Sequence, residues 1–150
     1  MRSGFTLIEL LIVTSIIGIL LTTGLASYTN FNRKRMVREA ALELMNNLRY
    51  AQSKALNGEK PSGCAILNGW KLEFVSGGYQ IKAVCTNGEF GDKDFSFPTG
   101  VSKTSGPSSF LFKVLAQGVN YGGEIELSGF GYKYKIKVTE SGEISDEGFQ

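Results

Sequence analysis

The 150-residue chain contains no histidine. That removes Ser-His-Asp and Cys-His nucleophile systems, histidine general acid–base catalysis and histidine-containing metal sites. Cysteine is scarce. Cys64 and Cys85 are the only two, too few for a four-thiolate metal site. There is no glycine-rich phosphate loop, and no motif pairs the carboxylates for catalysis. These absences point away from an enzyme and imply no cofactor and no metal. Charge is missing from one long stretch, since residues 10–32 hold no Asp, Glu, Lys or Arg. A basic surface is lacking too. The chain carries 16 basic and 14 acidic side chains, and Arg2, Arg33, Lys34 and Arg35 flank the uncharged stretch. From Met36 onward, 12 basic side chains face 13 acidic ones, so a general nucleic-acid surface is not supported.

What is present begins with the apolar run itself, residues 5–26, reading FTLIELLIVTSIIGILLTTGLA. About 20 such residues span the hydrocarbon core as a helix. A cleaved secretory signal, a plain signal anchor and an anchor trimmed at its extreme N-terminus all fit that length. Glu9 discriminates among them. A carboxylate near a bilayer centre costs about 2.5–3.5 kcal/mol on insertion scales, so it asks for a partner. A cleaved export signal has no need of it.

Met1-Arg2-Ser3-Gly4, then Phe5-Thr6-Leu7-Ile8-Glu9 and a long apolar helix, resembles the leader of type IV prepilins and type II secretion pseudopilins. The resemblance implies that a prepilin peptidase cuts after Gly4 and that the new N-terminal Phe5 is methylated. Glu9 matches the family glutamate. It would neutralise the Phe5 amine of a neighbouring subunit, since burying either charge alone is expensive. The implied partners are that peptidase, other pilin or pseudopilin subunits, an inner-membrane assembly platform and membrane lipid. The implied location is a single-pass inner-membrane protein with its domain on the extracytoplasmic side, later incorporated into a fibre. One departure stands out: many relatives have a helix proline where this chain has Ala26.

The basic run Arg33-Lys34-Arg35 reads as a solvated flank or as an attraction to anionic headgroups. On the translocated side it opposes the usual cytoplasmic bias of positive charge. Val37, Ala41, Leu44, Leu48, Ala51 and Ala55 then recur at three and four, one apolar helix stripe widened by Ala40, Met45 and Leu56. No Pro or Gly interrupts residues 25–57, so one continuous helix is predicted, stopped by Gly58 and Pro61.

Beyond Pro61 the period changes to two. Residues 65–67 begin a strand, and Asn68-Gly69 signals a turn. Trp70, Leu72 and Phe74 share one face of the next strand, and residues 79–83 follow after Gly77-Gly78. Residues 95–97, 110–112 and 124–127 are further strands. In residues 132–138, Tyr132, Tyr134, Ile136 and Val138 oppose Lys133, Lys135 and Lys137. The expected fold class is α+β, a long N-terminal helix on an antiparallel sheet or small two-sheet sandwich. Its predicted parts are leader 1–4, transmembrane and assembly helix 5–32, amphipathic half 33–57 and β-rich domain 58–150.

The long helix, residues 95–101 (FSFPTGV) and a strand–Gly-Gly–strand passage through Gly142-Glu143-Ile144 resemble minor pseudopilin H and FimT/FimU-type minor pilins. Major pilins remain open; they would require an exposed variable region or a calcium loop near Glu89, Asp92 and Asp94, or near Asp146 and Glu147. Those acids lack the regular spacing of such a loop. Cys64 and Cys85 are either buried hydrophobes or a disulfide, which an oxidising exported compartment favours. The bridge would contribute about 3 kcal/mol on the chain-entropy model.

Two functions from different classes follow. One is a structural minor subunit of a type II secretion pseudopilus or type IV pilus. The other is a DNA-binding minor pilin using Lys133, Lys135 and Lys137, with Lys113 added if its strand lies alongside. The near-neutral domain and the acids Glu140, Glu143, Asp146 and Glu147 weigh against nucleic acid.

Overall fold

The computed structural model describes residues 6–115 and 118–150, and of residues 21–26 and 92 the backbone alone. Two compact units divide the chain, Met1–Arg35 and Met36–Gln150. A long helix, α1 (Leu7–Leu56), contributes to both. Gly18 lies within it, and the backbone stays helical through Ala26, so the missing proline goes with an uninterrupted helix.

In the second unit, the stripe predicted from period alone is the core face. Val37, Ala41, Leu44, Leu48, Ala51 and Ala55 are fully buried, with Ala40 and Met45 nearly so. Leu56 departs from the expectation and is half exposed, because the helix ends there and no turn follows to carry the stripe onward. The stop is a Schellman closure. Gly58 takes a positive φ of 60°, the Glu59 N–H donates to Lys54 O, and the Gly58 N–H donates to Ala55 O.

Among the described residues eight strands follow: β1 (Leu67–Val75), β2 (Gly78–Cys85), β3 (Gly88–Ser96), β4 (Val101–Ser105), β5 (Ser109–Lys113), β6 (Gly123–Gly129), β7 (Tyr132–Val138) and β8 (Ile144–Phe149). They form two four-stranded antiparallel sheets, ordered β3-β2-β1-β5 and β4-β6-β7-β8. This is the α+β fold anticipated from the alternating pattern, with the sheet resolved into two. Leu72, Ile81 and Phe110 of the first sheet and Ile125, Leu127 and Ile136 of the second join the helix stripe in one core. The first sheet and the β7–β8 turn also bond to α1. Asn47 Nδ2 donates to the Tyr79 hydroxyl (2.8 Å), and Gln52 Nε2 donates to Gly142 O (2.8 Å). Burial pushes the Tyr79 phenol up to about 12, so it remains a neutral packing group at ordinary pH.

The Asn68-Gly69 pair is not a turn. It lies inside β1, where the register slips between Leu67 and Gly69 and leaves Asn68 as a bulge. Gly69 is required there for another reason. A Cβ at Gly69 would sit 2.2 Å from the Phe112 carbonyl oxygen of β5. Strands β4 and β8 and most of β3 carry no clean apolar alternation and were not anticipated. All three are sheet edges, which need a partner on one side only. The outer edge of β5 is closed differently. The Leu111 N–H donates to Asn120 Oδ1 (2.9 Å), and the Asn120 N–H returns a bond to Leu111 O (3.1 Å). The adjacent Val119 N–H donates to Glu140 O, tying this segment to the end of β7.

Candidate functional site

The first unit offers a chemistry set by what its surface lacks. Thr6 precedes the helix, and its hydroxyl accepts the Glu9 N–H (3.3 Å), an N-cap followed three residues later by a glutamate. Glu9 therefore occupies the first turn, where the helix dipole favours a carboxylate. Leu7, Ile8, Leu10, Leu11, Ile12, Val13, Ile16, Ile17, Ile19 and Leu20 are all exposed, an apolar surface beyond what a soluble monomer ordinarily presents. The polar side chains among them turn inward. Thr14 Oγ1 donates to Leu10 O (3.0 Å) and Ser15 Oγ donates to Leu11 O (2.8 Å). With those hydroxyls satisfied inside the helix, Glu9 is the sole Asp, Glu, Lys or Arg from residue 7 to residue 32. Gly4 and Phe5, the cleavage and methylation positions, lie outside the described residues. Among the described residues no helix is long and apolar enough to cross a membrane; residues 21–26 of the apolar run belong to that set by backbone only.

In the second unit the lysine stripe has the predicted orientation. Tyr134, Ile136 and Val138 are buried, while Lys133 and Lys137 are exposed and Lys135 is partly so. Tyr132, expected on the core face, is only half-buried; it begins the strand and meets Phe149 edge to face. The stripe is not a uniform cationic surface. β6 runs beside β7 with Glu126 opposite Lys135 and Glu124 opposite Lys137. Lys133 Nζ lies 3.0 Å from Glu126 Oε1, and Lys135 Nζ lies 3.5 Å from Glu124 Oε2. Hydrogen bonds from Lys133 and Thr104 hold the Glu126 carboxyl below its usual range. The sequence contained this signal in Glu124-Ile125-Glu126-Leu127, whose acids share a face, but the pairing register was needed to bring them to the lysines. Lys113 does not extend the stripe. It ends β5, a strand of the other sheet.

The acids weighed for a calcium loop are dispersed. Glu89 and Asp94 lie along the extended β3, with Glu89 paired to Lys71 at 2.6 Å. Asp146 accepts the Tyr134 hydroxyl (2.8 Å) and, within β8, the Gly148 N–H. Cys64 and Cys85 are joined in a disulfide, with Cα atoms 5.7 Å apart. It ties the segment after α1 to the end of β2, and Asn87 reinforces it. Its amide donates to Gly63 O (2.7 Å) and accepts the Ala65 N–H (2.9 Å).

This arrangement yields an expected outcome. Changing Lys133, Lys135 and Lys137 together to glutamine should leave affinity for duplex DNA low and unchanged. Titration of the full chain at several salt concentrations checks it. Tight binding whose salt slope falls by roughly 0.9 per lost phosphate contact would instead make the face a nucleic-acid site.

Residues 1–25 match the family model described as the prokaryotic N-terminal methylation motif. The chain is also similar to a probable minor fimbrial protein of Dichelobacter nodosus, 46% identical over 54 residues. That likeness covers 36% of this chain and 33% of the relative, so it spans about a third of the curated protein's length. No solved structure gives a significant match.

Proposed function

We propose that this chain, which carries the type IV prepilin N-terminal motif, is a structural minor pilin subunit of a type IV pilus or type II secretion pseudopilus. The observation that carries the reading is the exposed apolar helix with one carboxylate, Glu9, just after the Gly4-Phe5 junction. In this reading residues 1–4 are a leader removed by a prepilin peptidase, which also methylates Phe5. Residues 5–32 hold the subunit in the inner membrane and later pack in the fibre. Residues 33–57 continue the helix, and residues 58–150 form the extracytoplasmic domain. The other pilin subunits and an inner-membrane platform are its partners.

The physical case is one of partner demand. An apolar helix surface of this extent needs lipid or other helices around it. A carboxylate in that surface is costly alone and favourable beside a cation. The free Phe5 amine of an adjacent subunit supplies that cation, and it does so at one axial register. A head-to-tail contact of this kind that does not close generates a filament. The subunit supports fibre assembly, and through it secretion or pilus formation, without catalysing a reaction.

Processing is the direct test. Intact-mass and N-terminal peptide analysis of membrane-derived protein should find a chain beginning at Phe5 with a methylated amine. A mature chain beginning at Ser27 would make the apolar run a discarded export signal and end the fibre model.

A further inference from the structure

We propose that Tyr28, Phe31 and the Arg33-Lys34-Arg35 run form a collar that grips anionic phospholipid headgroups. The inference rests on the membrane-held reading above and names the surface that would hold the subunit at a set depth.

Helical spacing assembles the collar. Residues 28, 31 and 35 are three and four apart, so Tyr28, Phe31 and Arg35 share one face of α1. Tyr28 is 64% exposed and Phe31 65%, two large rings presented outward within four residues. Arg33, Lys34 and Arg35 are exposed as well. Position along the helix supplies the next argument. From Leu7 to Ser27 the chain has 21 residues, about 30 Å of helix, which matches a hydrocarbon core. The aromatic rings then fall where headgroups begin, and the cations fall just beyond. An aromatic ring with a polar tip and a basic side chain are the residue types that lie stably at that level.

Charge distribution selects the lipid. No Asp or Glu occurs between Glu9 and Glu39, whereas Arg33, Lys34, Arg35 and Arg38 do, so every formal charge in this stretch of sequence is positive. Those cations stand on the side to which the domain is translocated, against the usual bias. A merely solvated flank gains nothing from that placement and has no use for two exposed rings. An anionic headgroup layer attracts the cations and gives the rings an apolar boundary. Duplex DNA also offers phosphates, but it provides no apolar boundary for Phe31 beside a long exposed apolar run.

The full chain, reconstituted in vesicles, tests the collar. One set is neutral phosphatidylcholine, and the other contains about 30 mol% phosphatidylglycerol to supply the surface potential. A membrane-impermeant amine-acylating reagent is applied, and labelling of Lys34 is read against exposed Lys137 by peptide mass spectrometry. Lys34 labelling should fall roughly fivefold or more in the anionic vesicles, consistent with about 1 kcal/mol per basic residue near such a surface. High salt should restore it. The R33Q/R35Q variant should lose most of the protection, and Y28S/F31S part of it. Equal Lys34 labelling in the two vesicle types overturns the collar. Equal or greater protection by duplex DNA without vesicles also overturns it, in favour of a nucleic-acid surface. Failure to float with neutral vesicles would overturn the membrane-held reading itself, a result distinct from floating with both types and labelling equally.

Discussion

Glu9→Ala is expected to leave the chain processed and held in the membrane while lowering its incorporation into sheared fibres about a hundredfold or more. Removing one partner of a buried ion pair costs about 3–5 kcal/mol, because the remaining charge is left uncompensated. Here the remaining charge would be the amine of the neighbouring Phe5. The helix cap separates this effect from a local one. Thr6 Oγ1 accepts the Glu9 N–H, a main-chain group that any residue at position 9 retains. Loss of the Glu9 side chain therefore spares that bond. Glu9→Gln keeps the side-chain shape and removes the charge, so it should assemble nearly as poorly as the alanine variant while inserting more readily. Thr6→Ala should cost about 1 kcal/mol of helix end stability. Incorporation of Glu9→Ala at the wild-type level would show that the carboxylate does not set assembly.

Replacing Cys64 and Cys85 together by alanine should lower the stability of the folded domain by about 3 kcal/mol. The bridge closes a loop with a sequence separation of 21, and a loop of that length carries about this entropy in the unfolded chain. For a unit of this size the thermal midpoint should drop by roughly 10 °C or more. The irregular segment between α1 and β1 is also tied by hydrogen bonds, among them Thr86 N–H to Ile66 O. Trp70 Nε1 donates to Glu59 O at 2.9 Å, and Asn87 holds Gly63 and Ala65. Trp70 fluorescence should therefore report loosening of this segment first. The measurement is thermal unfolding of the intact chain with and without reductant, beside the double variant. A midpoint that moves in neither case would show that loop closure contributes nothing to holding the segment.

The readable parts of this fold were those with a strong period. Six helix positions from Val37 to Ala55 were placed on the core face by spacing alone, and all six are fully buried. The alternation in β7 likewise oriented Tyr134, Ile136 and Val138 inward. Edge strands escaped because their requirements are weaker. Val101-Ser102-Lys103-Thr104-Ser105 pairs on one side only and leaves most of its side chains in water, so no apolar alternation was imposed on it. Asn68-Gly69 misled because a glycine serves two purposes that look alike in a sequence: a turn needs its backbone freedom, whereas β1 needs its missing Cβ to admit the Phe112 carbonyl.

The N-terminal segment was determined by sequence because its properties are local. The Gly4-Phe5 junction, the single carboxylate and the uncharged run need no distant residue to define them. The domain surface was decided by tertiary structure because its electrostatics depend on strand register. A lysine stripe on β7 read as a cationic face until Glu124 and Glu126 of β6 were brought across from it. The same holds for the sulfur atoms. Two cysteines 21 positions apart carry no pairing information until the chain after α1 folds back onto the end of β2 and sets their Cα atoms 5.7 Å apart. Periodicity is written within an element. Neutralisation and covalent closure arise between elements, where only the folded chain sets the distance.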